Sequence, residues 1–161
     1  MGHALINPAP TGTFMQYQLS EIEVKYNPEI KPSERMKITG SKDAEKAFRQ
    51  IWEQPLQHRE SFYVLFLNRG NRVLGFFLVS LGGISGTVVD QKLIFQTALK
   101  VNACSVIACH NHPSGNLEPS QADINITRKI KESGELLDIP LLDHLIICQE
   151  NYRSLADDGY L

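Results

Sequence analysis

His110, Asn111 and His112, followed by Ser120 and Asp123, are the residues of this chain best equipped for chemistry. Their spacing reads His-x-His-x7-Ser-x2-Asp, with Pro113 to Pro119 between the second histidine and the serine, and Gln121 and Ala122 before the aspartate. Two imidazoles and a carboxylate are nitrogen and oxygen ligands suited to a divalent ion such as Zn2+. Three protein ligands leave a fourth tetrahedral position for water or substrate. That is the catalytic arrangement rather than the structural one, and it points to metal-assisted hydrolysis.

Whether these side chains can meet depends on the elements that carry them. On extended backbone, residues two apart face the same way, so His110 and His112 converge while Asn111 points elsewhere. A helix from Ser120 to about Ser133, ended by Gly134, follows the turn at Pro113-Ser114-Gly115-Asn116. At about 100° per residue, Asp123 shares a side with Ile126, Thr127 and Ile130, whereas Asn125, Arg128 and Lys129 face away. A carboxylate on an apolar stripe is costly unless it is paired or metal-bound. Ser120 and Asp123 also read as a capping box, and the two readings coexist. A lone His-x-His is more often an exposed loop pair; the inward Asp123 tips the balance to a metal site.

A hydrolase needs a proton carrier that is not a ligand. Glu60, just before an apolar run over 61–67, is the candidate, and a solvated carboxylate beside Arg59 is its other reading. Asp143 and His144, before a strand over Leu145 to Cys148, either support a ligand from outside or are structural. His144 is not counted among the ligands.

The remaining elements follow from periodicity. Residues 1–13 read as a loose arm, Phe14 to Lys25 as a first strand, and Asn27 to Ser33 as a loop. Ser41 caps a helix from Lys42 to about Gln54, with Ala44, Ala47, Phe48, Ile51 and Trp52 as its apolar stripe and Pro55 as its stop. Ser61 to Leu67, apolar on both faces, is an interior strand. A turn over Asn68 to Asn71 leads to a second strand over Arg72 to Leu81, closed by Gly82, Gly83 and Gly86. Asp90 caps a helix to about Val101, and Cys104 to Cys109 is a short buried strand. Interleaved helices and strands predict an α/β sandwich around a mixed sheet.

The totals bound the function. The chain has 161 residues, enough for a single domain with its own core. A net charge of −2 argues against an extended nucleic-acid footprint. No apolar run reaches membrane-spanning length, and Met1 to Thr13 lacks a signal-peptide pattern. The expected localisation is therefore cytoplasmic. Cys104, Cys109 and Cys148 form no CxxC pair and read as small apolar residues. A nucleophile built on Cys109 with His110 is excluded, because adjacent strand residues face opposite sides.

The run from His110 to Gly115, the Pro119 to Asp123 segment and Asp143 to Ile147 together closely resemble the RadC-like branch of the JAB/MPN (JAMM) metalloprotease superfamily. The resemblance covers most of the chain and divides it into an N-terminal arm, strand and loop at 1–38 and a metal-binding domain at 39–161. It implies a cytidine-deaminase-like three-layer α/β/α sandwich, with zinc on His110, His112 and Asp123. It also implies Glu60 as general acid and base and Ser120 as hydrogen-bond donor to an oxyanion. The implied reaction is hydrolysis of an amide or isopeptide bond in a peptide or protein substrate, by a zinc-activated water. A DNA-associated repair or recombination accessory is the alternative, and a scaffold that has lost catalysis ranks third. Longer RadC-like proteins carry an N-terminal helix-hairpin-helix segment. Residues 1–38 show no Gly-rich hairpin and no basic cluster, so the chain reads as a short form. Oligomeric state is not legible.

Overall fold

The computed structural model describes residues 25–83 and 88–161. The strand expected at Phe14 to Lys25, the arm before it and Gly86 therefore lie outside the described residues, except for Lys25 itself. After a short 3-10 turn at Pro32–Glu34, the order is α1 (Ser41–Ile51), β1 (Ser61–Leu67), β2 (Val73–Leu81), α2 (Gln91–Lys100), β3 (Ser105–Asn111), α3 (Gln121–Leu136), β4 (Leu141–Ile147) and β5 (Tyr152–Ser154). The strands form one sheet in the order β2-β1-β3-β4-β5. Among the described residues only the β3–β4 pair is parallel, with α3 as its crossover, so the sheet is mixed as expected.

Strand parity divides the core into two apolar layers. Phe62, Val64 and Phe66 of β1 and Val106 and Ala108 of β3 pack against Ile94 and Phe95 of α2 and Ile130 of α3. Tyr63, Leu65, Leu67, Ile107 and Cys109 turn to the other face and meet Ala44, Ala47 and Phe48 of α1. Every residue of β1 and of β3 is buried, which is why these strands read as continuous apolar runs rather than alternating ones. The result is three layers, α1 on one face and α2 with α3 on the other. Among the described residues no helix is long and apolar enough to cross a membrane.

Several boundaries differ from expectation, each for a local reason. Helix α1 begins at Ser41 with Gly40 as its N-cap and no side-chain cap. Ser41 instead donates its hydroxyl to Asp157 at 2.6 Å, and Asp43 takes the Thr39 amide at 3.0 Å. The helix stops at Ile51 rather than near Gln54, because Trp52 turns extended and packs on Tyr63 with ring centroids 4.5 Å apart. Strand β4 starts at Leu141, so Asp143 and His144 lie within it. Pairing with β3 (Val106 to Leu141, Ile107 to Asp143) captures these polar residues, whose hydrogen bonds are met inside the fold.

Gly134 does not end α3; the helix runs through it to Leu136. The reversal comes at Asp138, at φ 56°, where Ile139 N–H bonds back to Gly134 O at 2.8 Å and Asp138 N–H to Glu135 O at 3.3 Å. These paired bonds are a Schellman closure. A methyl group at Gly134 would overlap the Ile139 carbonyl. Alanine is favoured over glycine in a helix interior by about 1 kcal/mol, yet forced overpacking costs about 1–3 kcal/mol. Because a backbone atom cannot step aside cheaply, Gly134→Ala is expected to lower the urea midpoint of unfolding. A rise would mean the helix end yields freely.

Candidate metal centre

The site forms where β3 ends and α3 begins. Antiparallel pairing sets Phe62 of β1 opposite His110 of β3. Continuing that register brings Glu60 level with His112, on the face that carries His110. Glu60, Phe62, His110, His112, Ser120, Asp123 and Ile126 line one cavity of about 430 Å³. The sequence-derived site residues therefore all meet in one place, and Glu60 is half-buried against that cavity rather than solvated at an edge.

Three candidate ligand residues converge. His110 Nε2 lies 3.0 Å from His112 Nε2 and 3.1 Å from Asp123 Oδ1, and His112 Nε2 lies 3.4 Å from Asp123 Oδ2. A zinc ion about 2.0–2.1 Å from tetrahedral ligands would set neighbouring ligand atoms roughly 3.3 Å apart. The observed spacings lie close to that shell, with the carboxylate approached through Oδ1 by His110 and through Oδ2 by His112. Donor chemistry fits as well. His112 Nδ1 faces the Asn116 carbonyl at 2.5 Å, and a carbonyl only accepts, so the His112 ring hydrogen sits there. In the neutral ring Nε2 then offers a lone pair to the centre. Lone pairs and a carboxylate held this close repel one another unless a cation lies among them.

The electrostatics agree. Burial pushes the Asp123 carboxyl up, but His110 and His112, which donate to it whenever their Nε2 atoms are protonated, outweigh that push and hold the group well below the usual carboxylate range. Asp123 is the third residue of α3, where the helix dipole also favours an anion. The His112 imidazole is raised above its ordinary value chiefly by its hydrogen bond to Asp123. A proton and a dication thus compete for the same lone pair. Burial raises the Glu60 carboxyl; the histidines oppose that push and Asp123 adds to it.

The capping box is also real. Ser120 N–H and Oγ–H both donate to Asp123 Oδ2 at 2.7 Å, and Asp123 N–H donates to Ser120 Oγ at 3.2 Å. This anchors Oδ2 and leaves Oδ1 turned towards His110. Ser120 thus lines the cavity while its hydroxyl hydrogen is engaged by Asp123.

Two supporting groups were given no role in the site from the sequence. Asn111, on the opposite face of β3, is fully buried. Its Oδ1 accepts from Ser61 N–H at 2.8 Å, and its Nδ2 donates to Leu56 O at 2.7 Å and Arg59 O at 3.0 Å. It ties down the segment that presents Glu60. Thr127, noted only as part of the apolar stripe, bonds the Asp123 carbonyl and the His144 ring. Asn111, and Thr127 through His144, act by contacts distant in sequence, though a polar residue at a buried position was a usable signal.

Asp143 and His144 separate cleanly. Asp143 accepts from His144 N–H, Ser154 Oγ–H and Ala156 N–H, holding the C-terminal turn to β4. It makes no contact with a candidate ligand among these bonds and is structural. His144 Nε2 meets His110 Nδ1 at 2.9 Å, so it supports a ligand. Burial, then the neighbouring His110, holds its imidazole well below the ordinary value.

A family model described as RadC-like JAB domain matches residues 38–160. A UPF0758 protein of Flavobacterium johnsoniae is 52% identical over 123 residues, covering 76% of this chain and 53% of its own length. UPF0758 proteins of Syntrophomonas wolfei and Salinibacter ruber are 40% and 41% identical, covering 77% and 80% of this chain and 54% of their own. The chain spans about half the length of the curated relatives it matches. Those names state no activity.

Proposed function

Because this chain belongs to the RadC-like JAB domain family, we propose that it is a zinc-dependent hydrolase of amide or isopeptide bonds in a peptide or protein substrate. The observation that carries the reading is the placement of Glu60, a non-ligand carboxylate in the same cavity as His110, His112 and Asp123. A binding scaffold has no need of a proton carrier beside its metal.

Zinc held by His110, His112 and Asp123 would acidify a water and polarise the scissile carbonyl. Glu60 takes one proton of the attacking water, whose oxygen bonds to the carbonyl carbon, and delivers that proton to the amide nitrogen as the carbon–nitrogen bond breaks. Ser120 turns its hydroxyl from Asp123 to the carbonyl oxygen as negative charge gathers there. Its backbone N–H keeps Asp123 in place meanwhile. Phe62, Val89 and Ile126 offer an apolar wall for a substrate side chain.

The test is a screen of peptides and of isopeptide-linked conjugates with the zinc-loaded protein, read by mass spectrometry. New amine and carboxylate termini should appear and should vanish on chelation. Cleavage that survives chelation, or zinc-loaded protein inert towards every amide offered, contradicts the reading.

A further inference from the structure

The proton order behind His110 follows from one carbonyl group. Thr127 Oγ1 lies 2.6 Å from Asp123 O and 2.6 Å from His144 Nδ1. Two oxygens at that separation need a hydrogen between them, and a carbonyl has none to give. The single Thr127 hydroxyl hydrogen is therefore committed to Asp123 O, and His144 Nδ1 must supply the hydrogen of the second bond. His144 is fully buried, and among the described residues its ring nitrogens meet only a hydroxyl and another imidazole, so the ring is neutral and carries one N–H. Its Nε2 then accepts from His110 Nδ1. His110 is left with a bare Nε2, aimed at His112 Nε2 and Asp123 Oδ1.

We propose that Thr127 and His144 are positioning residues that lock His110 in the tautomer able to bind a metal through Nε2. This rests on the reading of His110 as a ligand. Thr127 does not contact that atom and is not among the residues lining the cavity, yet its hydroxyl, bonded to the Asp123 carbonyl, orders every hydrogen along the chain. A valine there keeps the shape and removes the acceptor. The His144 Nδ1–H would then be buried without a partner, so its hydrogen moves to Nε2 and donates to His110 Nδ1. The His110 hydrogen is displaced in turn to Nε2, where it blocks the metal.

The experiment compares wild type, Thr127→Val and Thr127→Ser in two measurements. One is zinc affinity by competition with a chelating dye; the other is the ring tautomer of His110 in the metal-free protein, from long-range ¹H–¹⁵N spectra. Thr127→Val should bind zinc about 10–100-fold more weakly, the usual effect of losing an outer partner of a ligand, and should show His110 with its hydrogen on Nε2. Wild type and Thr127→Ser should keep it on Nδ1. Equal zinc affinity in wild type and Thr127→Val, or an Nε2–H His110 in the wild type, overturns the proposal. If Thr127→Val does not fold, the wild-type and Thr127→Ser spectra still decide. Wild type that binds no zinc at all would sink the metal reading, while the tautomer spectrum would still judge the relay.

Discussion

Asp123→Asn is expected to bind zinc at least about a hundredfold more weakly than the wild type. Structural zinc sites are worth about 10–16 kcal/mol in apparent binding free energy, so one ligand of four carries roughly 3 kcal/mol, a factor above 10². Asparagine suits the test because it preserves the shape of the α3 N-terminus. Its amide oxygen can still accept from Ser120 N–H, as Asp123 Oδ2 does at 2.7 Å. Alanine would remove that cap too and confuse lost ligation with a frayed helix. The amide cannot supply the negative charge that the two imidazoles now draw towards them. Zinc titration of folded Asp123→Asn checks this, and wild-type affinity would show that the carboxylate serves only as a cap.

Glu60→Gln should divide binding from chemistry. The side chain lines the cavity but is not among the converging ligand atoms, so zinc affinity should stay near the wild-type value. Hydrolysis should fall by about 10²–10⁴, the usual contribution of a positioned proton carrier, since a neutral amide cannot hold the water's proton. Stability moves the other way. The folded Glu60 carboxyl is raised above its ordinary value near 4.5, burial being the main cause. Any stability it lends is therefore present below that ordinary value and lost as pH rises through the folded one. At neutral pH the buried charge is a burden on the metal-free fold, and glutamine removes it. Thermal melts near pH 7 should show Glu60→Gln at or above wild type. A variant that keeps full turnover, or that loses zinc as Asp123→Asn does, would displace Glu60 from its role.

The centre was legible in the sequence because its geometry is local. Two-residue parity sets His110 and His112 on one face, and helical phase turns Asp123 inward beside Thr127 and Ile130; all but His112 are buried. Glu60 was legible only through its place before a strand buried on both faces. Its actual neighbours depend on antiparallel pairing with β3, which no local pattern contains. The same reason hid Asn111, whose partners Leu56, Arg59 and Ser61 lie more than fifty residues or close to it away in sequence. Hydropathy began β4 at Leu145 because Asp143 and His144 interrupt the apolar run; their cost is met by Ser154, Ala156, Thr127 and His110, all supplied by tertiary folding. Gly134 misled for the opposite reason. A glycine suited to ending a helix is here required by the close approach of the Ile139 carbonyl.

Zinc K-edge absorption of the protein loaded with one equivalent of metal bears most directly on the central claim. His110, His112 and Asp123 predict a shell of nitrogen and oxygen alone at about 2.0–2.1 Å, with imidazole outer-shell scattering that weakens in His110→Ala. A sulfur scatterer near 2.3 Å, drawn from Cys104, Cys109 or Cys148, or a failure to take up one equivalent, would contradict it.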